Sequence, residues 1–367
     1  MTGVKPCEAL PFSHRGSTKH TKQRTMKNKV LLVYTGGTIG MVQDGNGSLK
    51  PFPMEHIYDL VPELRKCPYQ IDTCQLENII DSSNMTPSFW VDIAEIIEQK
   101  YDEYDGFVIL HGTDTMAYTA SALSFMFKNL SKPIILTGSQ LPMGVLRTDG
   151  RENIICALEL ASCREAFIPE VGLFFENHLY RGNRSTKVSA ENFDAFCSYN
   201  FPSLAKAGIN FSFKPHLFLP KGTEPLEVHK DFDRNIAVMK LFPGITPEVV
   251  NAILNAENLH GVIIETFGSG NAPTEKWFID AMENALNRGI IVLNVTQCKA
   301  GSVVMCQYEA SYEMNRMGII GGNDITLEAA VTKMMYLLGT YPNNPNYVRQ
   351  GLQLSMRGEM TLPNAEK

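Results

Sequence analysis

Two short stretches of the sequence place hydroxyl and carboxyl side chains beside glycines, directly after runs of apolar residues. The first is TGGTIG, in which Thr35 and Thr38 flank a glycine pair, and the second is HGTDTM, in which Thr113 and Asp114 follow one glycine. A threonine hydroxyl can act as a nucleophile when a neighbouring group takes its proton, and the free N–H groups of a glycine-rich turn bind anions or oxyanions. These residue types therefore suit chemistry at a polar, electrophilic group.

Taken alone, TGGTIG predicts only a glycine-rich turn from a strand into a loop. A nucleotide-binding loop would need a lysine after the glycines, as in GxxxxGK[ST], or a GxGxxG pattern with a later acidic residue. Neither pattern is present. Because glycine lacks Cβ, Gly36 and Gly37 would let the backbone come close to a ligand.

HGTDTM carries more information than TGGTIG. Asp114 lies at the end of an apolar strand, where a carboxylate must be solvated, paired or functional. Asp and Thr also cap helices, but capping accounts for one of Thr113, Asp114 and Thr115 rather than all three. Lys187, in RGNRSTK, is either a surface lysine or, if it points at Thr113, a group that accepts or relays the hydroxyl proton. We assign His111 a structural role, with hydrogen bonds to nearby backbone.

Polar clusters follow four predicted strands. TGGT follows KVLLVY, HGTDTM follows GFVIL, TGSQLP follows PIIL, and FGSGNAP follows GVIIET. Ligands of open α/β sheets bind at the carboxyl ends of the strands. We therefore expect these four clusters to form a polar site on a rigid sheet.

The elements that position these clusters alternate between strand and helix. KVLLVY is a continuous apolar run, typical of a strand buried on both faces. MTPSFWVDIAEIIEQKYDEYD predicts a helix with Thr86 as its cap, Pro87 at its first position and one apolar face formed by Phe89, Trp90, Ile93, Ile96 and Ile97. The alternation predicts a parallel sheet covered by helices on both sides.

The alternation fails between about residues 198 and 233 and then resumes, ending in a predicted helix over TLEAAVTKMMYLLG. The predicted fold class is α/β, with a larger N-terminal, doubly wound, mostly parallel sheet and a smaller C-terminal α/β domain. We place the N-terminal domain at 28–205, a linker at 206–234 and the C-terminal domain at 235–367.

Composition excludes several classes of protein. The chain has 367 residues, 44% apolar and 20% charged, which is ordinary for a globular protein. Its net charge of −6 does not suggest a nucleic-acid groove, and no apolar run approaches the roughly 18 residues of a membrane-spanning helix. We expect neither a nucleic-acid nor a membrane partner.

Residues 1–29 differ from the remainder, with seven basic side chains against one acidic. This segment has no apolar stretch, so it does not resemble a secretory signal. We expect residues 1–27 to be a basic disordered tail, or to precede a true initiator at Met26. A transit peptide or a nucleic-acid-binding arm is the alternative.

The eight cysteines and eight histidines show no metal-binding spacing, and no CxxC occurs. Several cysteines lie in apolar segments such as NIICALELASC. Buried free thiols in a reducing cytosol fit this pattern best. We therefore expect a cytoplasmic protein with no metal site.

Several of these stretches resemble those of a known protein family. VYTGGTIGM and GFVILHGTDTMAYTASALSFM closely resemble the two signature stretches of the bacterial-type L-asparaginase family, and best its type I, cytosolic branch. DSSNMTP, TGSQLP, LYRGNRSTK and GNAP fall in the same order and spacing as in that family. The resemblance extends from about residue 28 to the C-terminus.

The resemblance implies an L-asparaginase that releases aspartate and ammonia, with minor glutaminase activity. Thr38 would attack the side-chain amide of asparagine and form a β-aspartyl ester, while a second catalytic group would comprise Thr113, Asp114 and Lys187. The substrate's α-carboxylate and α-amino groups would be held by a turn formed by Asp81, Ser82 and Ser83, with Asp114 paired to the α-ammonium and Thr113 beside it.

The resemblance also bears on cofactors and assembly. It implies no metal and no organic cofactor, and L-asparagine as the small-molecule partner. It further implies a homodimer or a homotetramer, in which Asn271 of GNAP reaches a neighbour's site.

Two positions depart from the family pattern. A mobile-loop tyrosine that often helps activate the nucleophile is replaced by Ser48, and the nearest tyrosine downstream is Tyr58. Some type I members bind asparagine at an additional site through an arginine just before GxGNAP, where this chain has Glu265. An acid would repel the α-carboxylate, so we expect that regulatory site to be absent.

Two other functions remain open. An amidotransferase subunit that releases ammonia for tRNA charging would carry an extra N-terminal domain, and the tail here is too short and polar for one. A sensor of asparagine or aspartate is favoured by the missing loop tyrosine, but both threonines and Lys187 oppose it. An ammonia-release assay separates these functions.

Overall fold

The structure is a computed structural model that describes residues 28–43, 49–51, 57–163, 166–305 and 309–362. The predictions for the tail at 1–27, for Met26 and for Ser48 lie outside these ranges. Within them the strands are β1 Lys29–Gly36, β2 Met41–Gln43, β3 Leu49–Pro51, β4 Gln70–Ile80, β5 Gly106–Leu110, β6 Phe127–Lys128, β7 Ile134–Thr137, β8 Val171–Phe175, β9 His178–Arg181, β10 Thr186–Lys187, β11 Phe196–Cys197, β12 Ala205–Lys206, β13 Ser212–Phe213, β14 Glu227–Val228, β15 Ile236–Lys240, β16 Gly261–Thr266, β17 Ile291–Thr296 and β18 Ile320–Gly321.

The α-helices of the described residues include one at each place where the sequence predicts a helix. They are α1 Ile57–Leu60, α2 Pro87–Lys100, α3 Met116–Met126, α4 Gly150–Ser162, α5 Pro247–Leu254, α6 Lys276–Asn287, α7 Glu309–Met317, α8 Leu327–Thr340 and α9 Pro345–Gln353. None of them is long and apolar enough to cross a membrane.

The larger sheet has eight strands in the order β13-β12-β9-β8-β7-β5-β1-β4. The strands from β8 to β4 are parallel, and β9, β12 and β13 continue the sheet in antiparallel pairs. Strands β1 and β5 are fully apolar in their central residues because both faces of the sheet are covered. The predicted mostly parallel, doubly wound sheet is confirmed.

Helices cover the two faces of this sheet. Trp90 and Ile93 of α2 pack with α3 against one face, whereas Ile154 and Leu158 of α4 pack against the other. In this arrangement the loops that follow β1, β5 and β7 lead from the carboxyl edge of the sheet toward the helices. That edge is where ligands bind in open α/β sheets.

The smaller sheet is separate and wholly parallel, with the order β15-β16-β17-β18. Its helix α8 packs against α3 of the first domain, where Phe125 and Tyr336 stack with ring centroids 6.1 Å apart. Helix α3 is consequently buried on almost every side. The predicted second α/β domain is confirmed.

Some elements were not predicted from the sequence. Strand β4 is polar and lies at the edge of the sheet, and helices α7 and α9 are short. Part of the segment 206–234 joins the larger sheet through β12 and β13, and β14 pairs with β6. The boundaries assigned to the two domains and the linker remain predictions.

Candidate active site

Three turns meet at the carboxyl edge of the larger sheet. Gly37, after β1, has φ +87°, and a Cβ there would lie 2.4 Å from both N and Cα of Gly112, which follows β5. The backbones of these two turns are therefore in direct contact, which only a residue without Cβ allows. The turn after β4 joins them, because a Cβ on Gly112 would lie 2.6 Å from Ser82 Oγ. Thr38 and Thr113 each follow one of the two touching glycines.

The two threonines of TGGT have different environments. Thr35 is buried, and its hydroxyl donates to the Leu110 carbonyl at 3.0 Å, so it links β1 to β5. Thr38 begins a one-turn 3₁₀ helix and is partly exposed. Its hydroxyl forms no hydrogen bond with any residue in the described ranges. Thr35 is therefore structural, and Thr38 is left available to a ligand.

Lys187 points at Thr113 and Asp114, as expected for a lysine that takes part in the site. Lys187 Nζ donates to Thr113 Oγ1 at 2.8 Å and to Asp114 Oδ1 at 2.6 Å. The Lys187 side chain is 19% exposed, whereas that of Asp114 is 63% exposed. The lysine is therefore not a surface lysine, and the carboxylate is paired yet open to solvent.

Helix capping does not explain the polar residues of HGTDTM. The cap of α3 is Thr115, and its side chain makes no capping hydrogen bond. Instead Thr115 Oγ1 donates to the Ser82 carbonyl at 2.7 Å and so ties the β5 turn to the β4 turn. Thr113 and Asp114 both contact Lys187, so neither serves as a cap.

Gln140 is a neighbour of this site that sequence reasoning missed. Thr113 Oγ1 donates to Gln140 Oε1 at 3.2 Å, and Gln140 Nε2 donates to the Asn192 carbonyl at 3.0 Å. The Asp149 carboxylate accepts the backbone N–H of Gln140 at 2.9 Å. Since the Thr113 hydroxyl accepts a hydrogen bond from Lys187 and donates one to Gln140, its direction is fixed. The only signal in the sequence was the place of Gln140 within TGSQLP.

Asp81, Ser82 and Ser83 form the turn after β4, beside the β5 turn. Asp81 Oδ1 accepts the backbone N–H of Ser83 at 2.9 Å and its hydroxyl at 2.8 Å. These two hydrogen bonds lower the pKa of the Asp81 carboxyl, so it is ionised at neutral pH. Asp81 and Ser83 are exposed, whereas Ser82 is buried against Gly112.

His111 is fully buried and structural, as expected. Its Nδ1 lies 2.7 Å from the Gly112 carbonyl, which can only accept, so Nδ1 carries the proton. Its Nε2 then accepts from Thr119 Oγ1 at 2.8 Å, and Trp90 Nε1 donates to that same hydroxyl at 3.1 Å. Burial lowers the pKa of His111 to about 4, so the ring is neutral at neutral pH. This chain of hydrogen bonds holds the Gly112 turn in place.

The expectation that four polar clusters form one site is only partly met. TGGT, HGTDT and TGSQ meet at the larger sheet, whereas FGSGNAP follows β16 of the other sheet, because its strand belongs to the second domain. Glu265 lies there with a side chain only 14% exposed, 3.9 Å from Lys240 Nζ. The absence of the regulatory site remains a prediction.

Tyr58, the nearest tyrosine after Ser48, lies far from Thr38. Its hydroxyl donates to the Ile71 carbonyl at 3.3 Å, and Ile71 pairs with Val30 at the amino end of β1. The carboxyl end at Gly36 is six residues further, about 20 Å along the strand. Tyr58 therefore does not replace the loop tyrosine.

The cysteines of the described residues are free, as expected, but they are less buried than the sequence suggested. Five are partly buried and Cys298 is exposed. Cys7 and Cys306 lie outside the described ranges. No group of three or more His, Cys, Asp or Glu side chains among the described residues could hold a metal.

The fold and the site together define a class: a two-domain α/β enzyme with a polar site at the edge of the larger sheet. The family model for the asparaginase N-terminal domain matches residues 29–217, and that for the glutaminase/asparaginase C-terminal domain matches residues 235–351. The chain therefore belongs to the asparaginase family, which is consistent with an amidohydrolase.

Individual relatives agree with this assignment. The chain is 44% identical to L-asparaginase 1 of Escherichia coli, over 91% of this chain and 98% of that protein. It is 41% identical to the 60 kDa lysophospholipase of Mus musculus, over 92% of this chain and 63% of that protein. The crystal structure of L-asparaginase I from Vibrio cholerae superposes with a TM-score of 0.84 at 42% identity, covering 92% of this chain and all of that one.

Proposed function

We propose that this protein hydrolyses L-asparagine to L-aspartate and ammonia, with Thr38 as the nucleophile. The contact of Gly37 with Gly112 carries this proposal, because it sets Thr38 on the turn that adjoins Thr113 and its partner Lys187. The similarity to proteins named L-asparaginase supports the choice of substrate.

In the first step Thr38 Oγ attacks the side-chain amide carbon of asparagine. The C–N bond breaks, the hydroxyl proton leaves with ammonia, and a β-aspartyl ester of Thr38 remains. Negative charge develops on the amide oxygen and needs fixed donors. The backbone N–H groups of Gly112 and Thr113 are suited to this, since they donate to no residue in the described part of the chain.

In the second step water hydrolyses the ester. A water molecule beside Thr113 and Lys187 would lose a proton through this pair, attack the ester carbon and release aspartate, restoring the Thr38 hydroxyl. The hydrogen bond from Lys187 Nζ to Thr113 Oγ1, at 2.8 Å, is the contact along which such a proton would move. Dividing the reaction into acylation and deacylation replaces one difficult step with two easier ones.

Recognition of an amino acid requires charges that match its α-groups. Asp114 is mostly exposed and would pair with the α-ammonium, and the ionised Asp81 on the adjoining turn adds a second negative charge to the site. The Ser82 and Ser83 groups of the same turn would hold the α-carboxylate. Because glutamine carries the same α-groups, we include glutaminase as a minor activity.

An ammonia-release assay with asparagine, glutamine and short-chain amides tests the proposal. Thr38→Ala should bind asparagine but lose turnover by about four orders of magnitude or more, since the nucleophile is gone. Thr38→Ser is the matched control and should retain measurable turnover, because it keeps a hydroxyl. Asparagine turnover by Thr38→Ala near the wild-type rate would exclude Thr38 as the nucleophile. Binding of asparagine without any turnover by the unmodified protein would favour a sensor.

Assembly and location are part of the same proposal. We infer a homodimer or homotetramer in the cytoplasm, and the free cysteines suit a reducing compartment. We also propose that Asn271 reaches the site of a neighbouring subunit. Light scattering coupled to gel filtration that finds an active monomer would contradict the assembly.

A further inference from the structure

A cavity of about 360 Å³ lies at the opposite edge of the larger sheet from the candidate active site. Its wall includes Leu130 after α3, Val171 at the start of β8, and Arg357 in the segment after α9. Helix α3 begins beside the candidate site and ends at this cavity, and its 11 residues correspond to about 16 Å. The volume is within the range of roughly 300–1,000 Å³ that small-molecule sites occupy.

The walls of this cavity are fixed by backbone contacts. A Cβ on Gly222 would lie 2.1 Å from the Asn129 carbonyl oxygen, so the segment that contains Gly222 lies directly against the end of α3. Gly222 N donates to the Leu130 carbonyl at 3.1 Å, and Leu219 N donates to Glu170 Oε1 at 2.9 Å. The cavity is thus a built feature of the fold.

The described residues that line the cavity include four basic side chains and one acidic side chain. The acid, Glu170, is already neutralised by Arg181, whose Nε donates to Glu170 Oε2 at 2.6 Å. Lys128 pairs with Glu227 at 2.9 Å. The side chains of the two remaining basic residues, Lys221 and Arg357, form no ion pair with any carboxylate in the described part of the chain.

Arg357 and Lys221 are available to a ligand for different reasons. Arg357 Nε and Nη1 donate to the carbonyls of Phe127 and Met356 at 3.2 and 2.9 Å, which fixes the guanidinium, while Nη2 donates to no described residue. Lys221 is exposed, with Nζ 4.5 Å from the centroid of the Phe167 ring. The cavity therefore presents two basic side chains that no described carboxylate neutralises.

The rest of the wall is mainly apolar, with Phe127, Leu130, Val171, Leu219 and Met356. We propose that this cavity binds a small amphipathic organic anion, whose carboxylate-like head group contacts Arg357 and Lys221 and whose apolar body packs on these side chains. An arginine held by backbone hydrogen bonds recognises a carboxylate at low entropic cost. The site is separate from the one proposed for asparagine.

Isothermal titration calorimetry tests this proposal with octanoate, octanol and octylamine, each below its aggregation concentration. One octanoate should bind per chain. Octanol and octylamine should bind at least roughly tenfold more weakly, because neither carries a negative charge. Lys221→Gln should weaken octanoate roughly fivefold and leave octanol unchanged. Lys206→Gln, at an exposed lysine of β12, is the matched control and should bind octanoate like the wild type.

Three results would overturn the proposal. Equal binding of octanol and octanoate would show an apolar cavity without anion selectivity. Unchanged octanoate binding in both Lys221→Gln and Arg357→Gln would place the ligand elsewhere, and the absence of saturable binding would exclude the site. Since none of these measurements requires turnover, the outcome is independent of whether Thr38 is the nucleophile.

Discussion

The carboxyl edges of the two sheets both carry polar loops, but the polar side chains of these loops have different partners. At the carboxyl edge of the larger sheet an ammonium group, Lys187 Nζ, contacts the Thr113 hydroxyl at 2.8 Å. At the corresponding edge of the smaller sheet Glu265, Asp324 and Glu328 line a cavity of about 100 Å³. The first edge thus carries the Thr38 hydroxyl and Lys187 beside the carboxylates Asp81 and Asp114, whereas the second carries three carboxylates with Arg184 and Lys299.

The partners of these groups explain what each edge can do. Asp324 is bound to Arg184 at 2.9 Å, and Glu328 Oε1 accepts the Thr186 hydroxyl at 2.5 Å, so both belong to the contact between the domains. The Thr38 hydroxyl has no such partner among the described residues. The edge of a sheet therefore fixes where these side chains lie. A side chain there is available to react only if it is not already hydrogen-bonded within the protein. That Glu265 excludes a carboxylate ligand from the second edge remains a prediction.

After the nucleophile itself, the largest effect at the first edge is expected at Lys187. Lys187→Met removes the ammonium that contacts Thr113 and Asp114, so kcat for asparagine should fall about 10²–10⁴-fold, the usual contribution of a general acid or base. Ammonia release at saturating asparagine measures this change. Lys206→Met, at the exposed lysine of β12, is the control for loss of a lysine outside the site.

Lys187→Arg distinguishes proton transfer from charge alone. Arginine keeps the positive charge but stays protonated, so it cannot accept a proton from Thr113 or water. We expect kcat to remain low. A kcat near that of the wild type would mean that Lys187 acts only through its charge.

A smaller effect is expected at Asp114, on binding rather than on turnover. Asp114→Asn keeps an oxygen that can accept from Lys187 but loses the charge proposed to pair with the α-ammonium. KM for asparagine should rise about 10–100-fold, corresponding to the loss of one charged hydrogen bond. Initial rates over a range of asparagine concentrations separate KM from kcat. An unchanged KM would remove Asp114 from substrate recognition.

The sequence predicted the central strands of the fold because they are buried on both faces. Residues 30–33 (VLLV) and 106–110 (GFVIL) have no polar side chains to obscure the pattern, since β1 and β5 lie inside the sheet. Strand β4 was missed because it is an edge strand whose QIDTCQLENII sequence exposes Glu77 and other polar residues. That strand nevertheless delivers the Asp81 turn to the site.

The candidate site was predicted in part. Side-chain type and position after a strand were sufficient to select Thr38, Thr113 and Asp114 for examination. They could not separate Thr38 from Thr35, because the difference lies in a hydrogen bond to Leu110, 75 residues away. Gln140 was missed for the same reason, since its partner Thr113 is distant in sequence.

The smallest expected effect is a change in thermal stability, and it concerns Glu328 at the carboxyl edge of the smaller sheet. Burial raises the pKa of Glu328, so the folded state holds this proton more tightly than the unfolded chain. The stabilisation that the protonated Glu328 carboxyl contributes is complete below its pKa in the unfolded chain. It is lost as pH rises through its pKa in the folded state. Glu328→Gln stays neutral and can still accept the Thr186 hydroxyl, so it should raise Tm at pH 8 by about 2–4 °C and by less at pH 4.5.

Thermal unfolding of Glu328→Gln and the wild type across this pH range measures the difference, with exposed Glu257→Gln as the control. At low pH the Glu328 carboxyl is protonated and neutral, as the glutamine amide is. The Tm values of the two proteins should therefore converge there and separate as pH rises. A constant difference would show that Glu328 is ionised throughout and is stabilised by Arg or Lys charges nearby. The second edge would then carry an ionised Glu328 over the whole pH range, and the two edges would differ only in the types of their side chains.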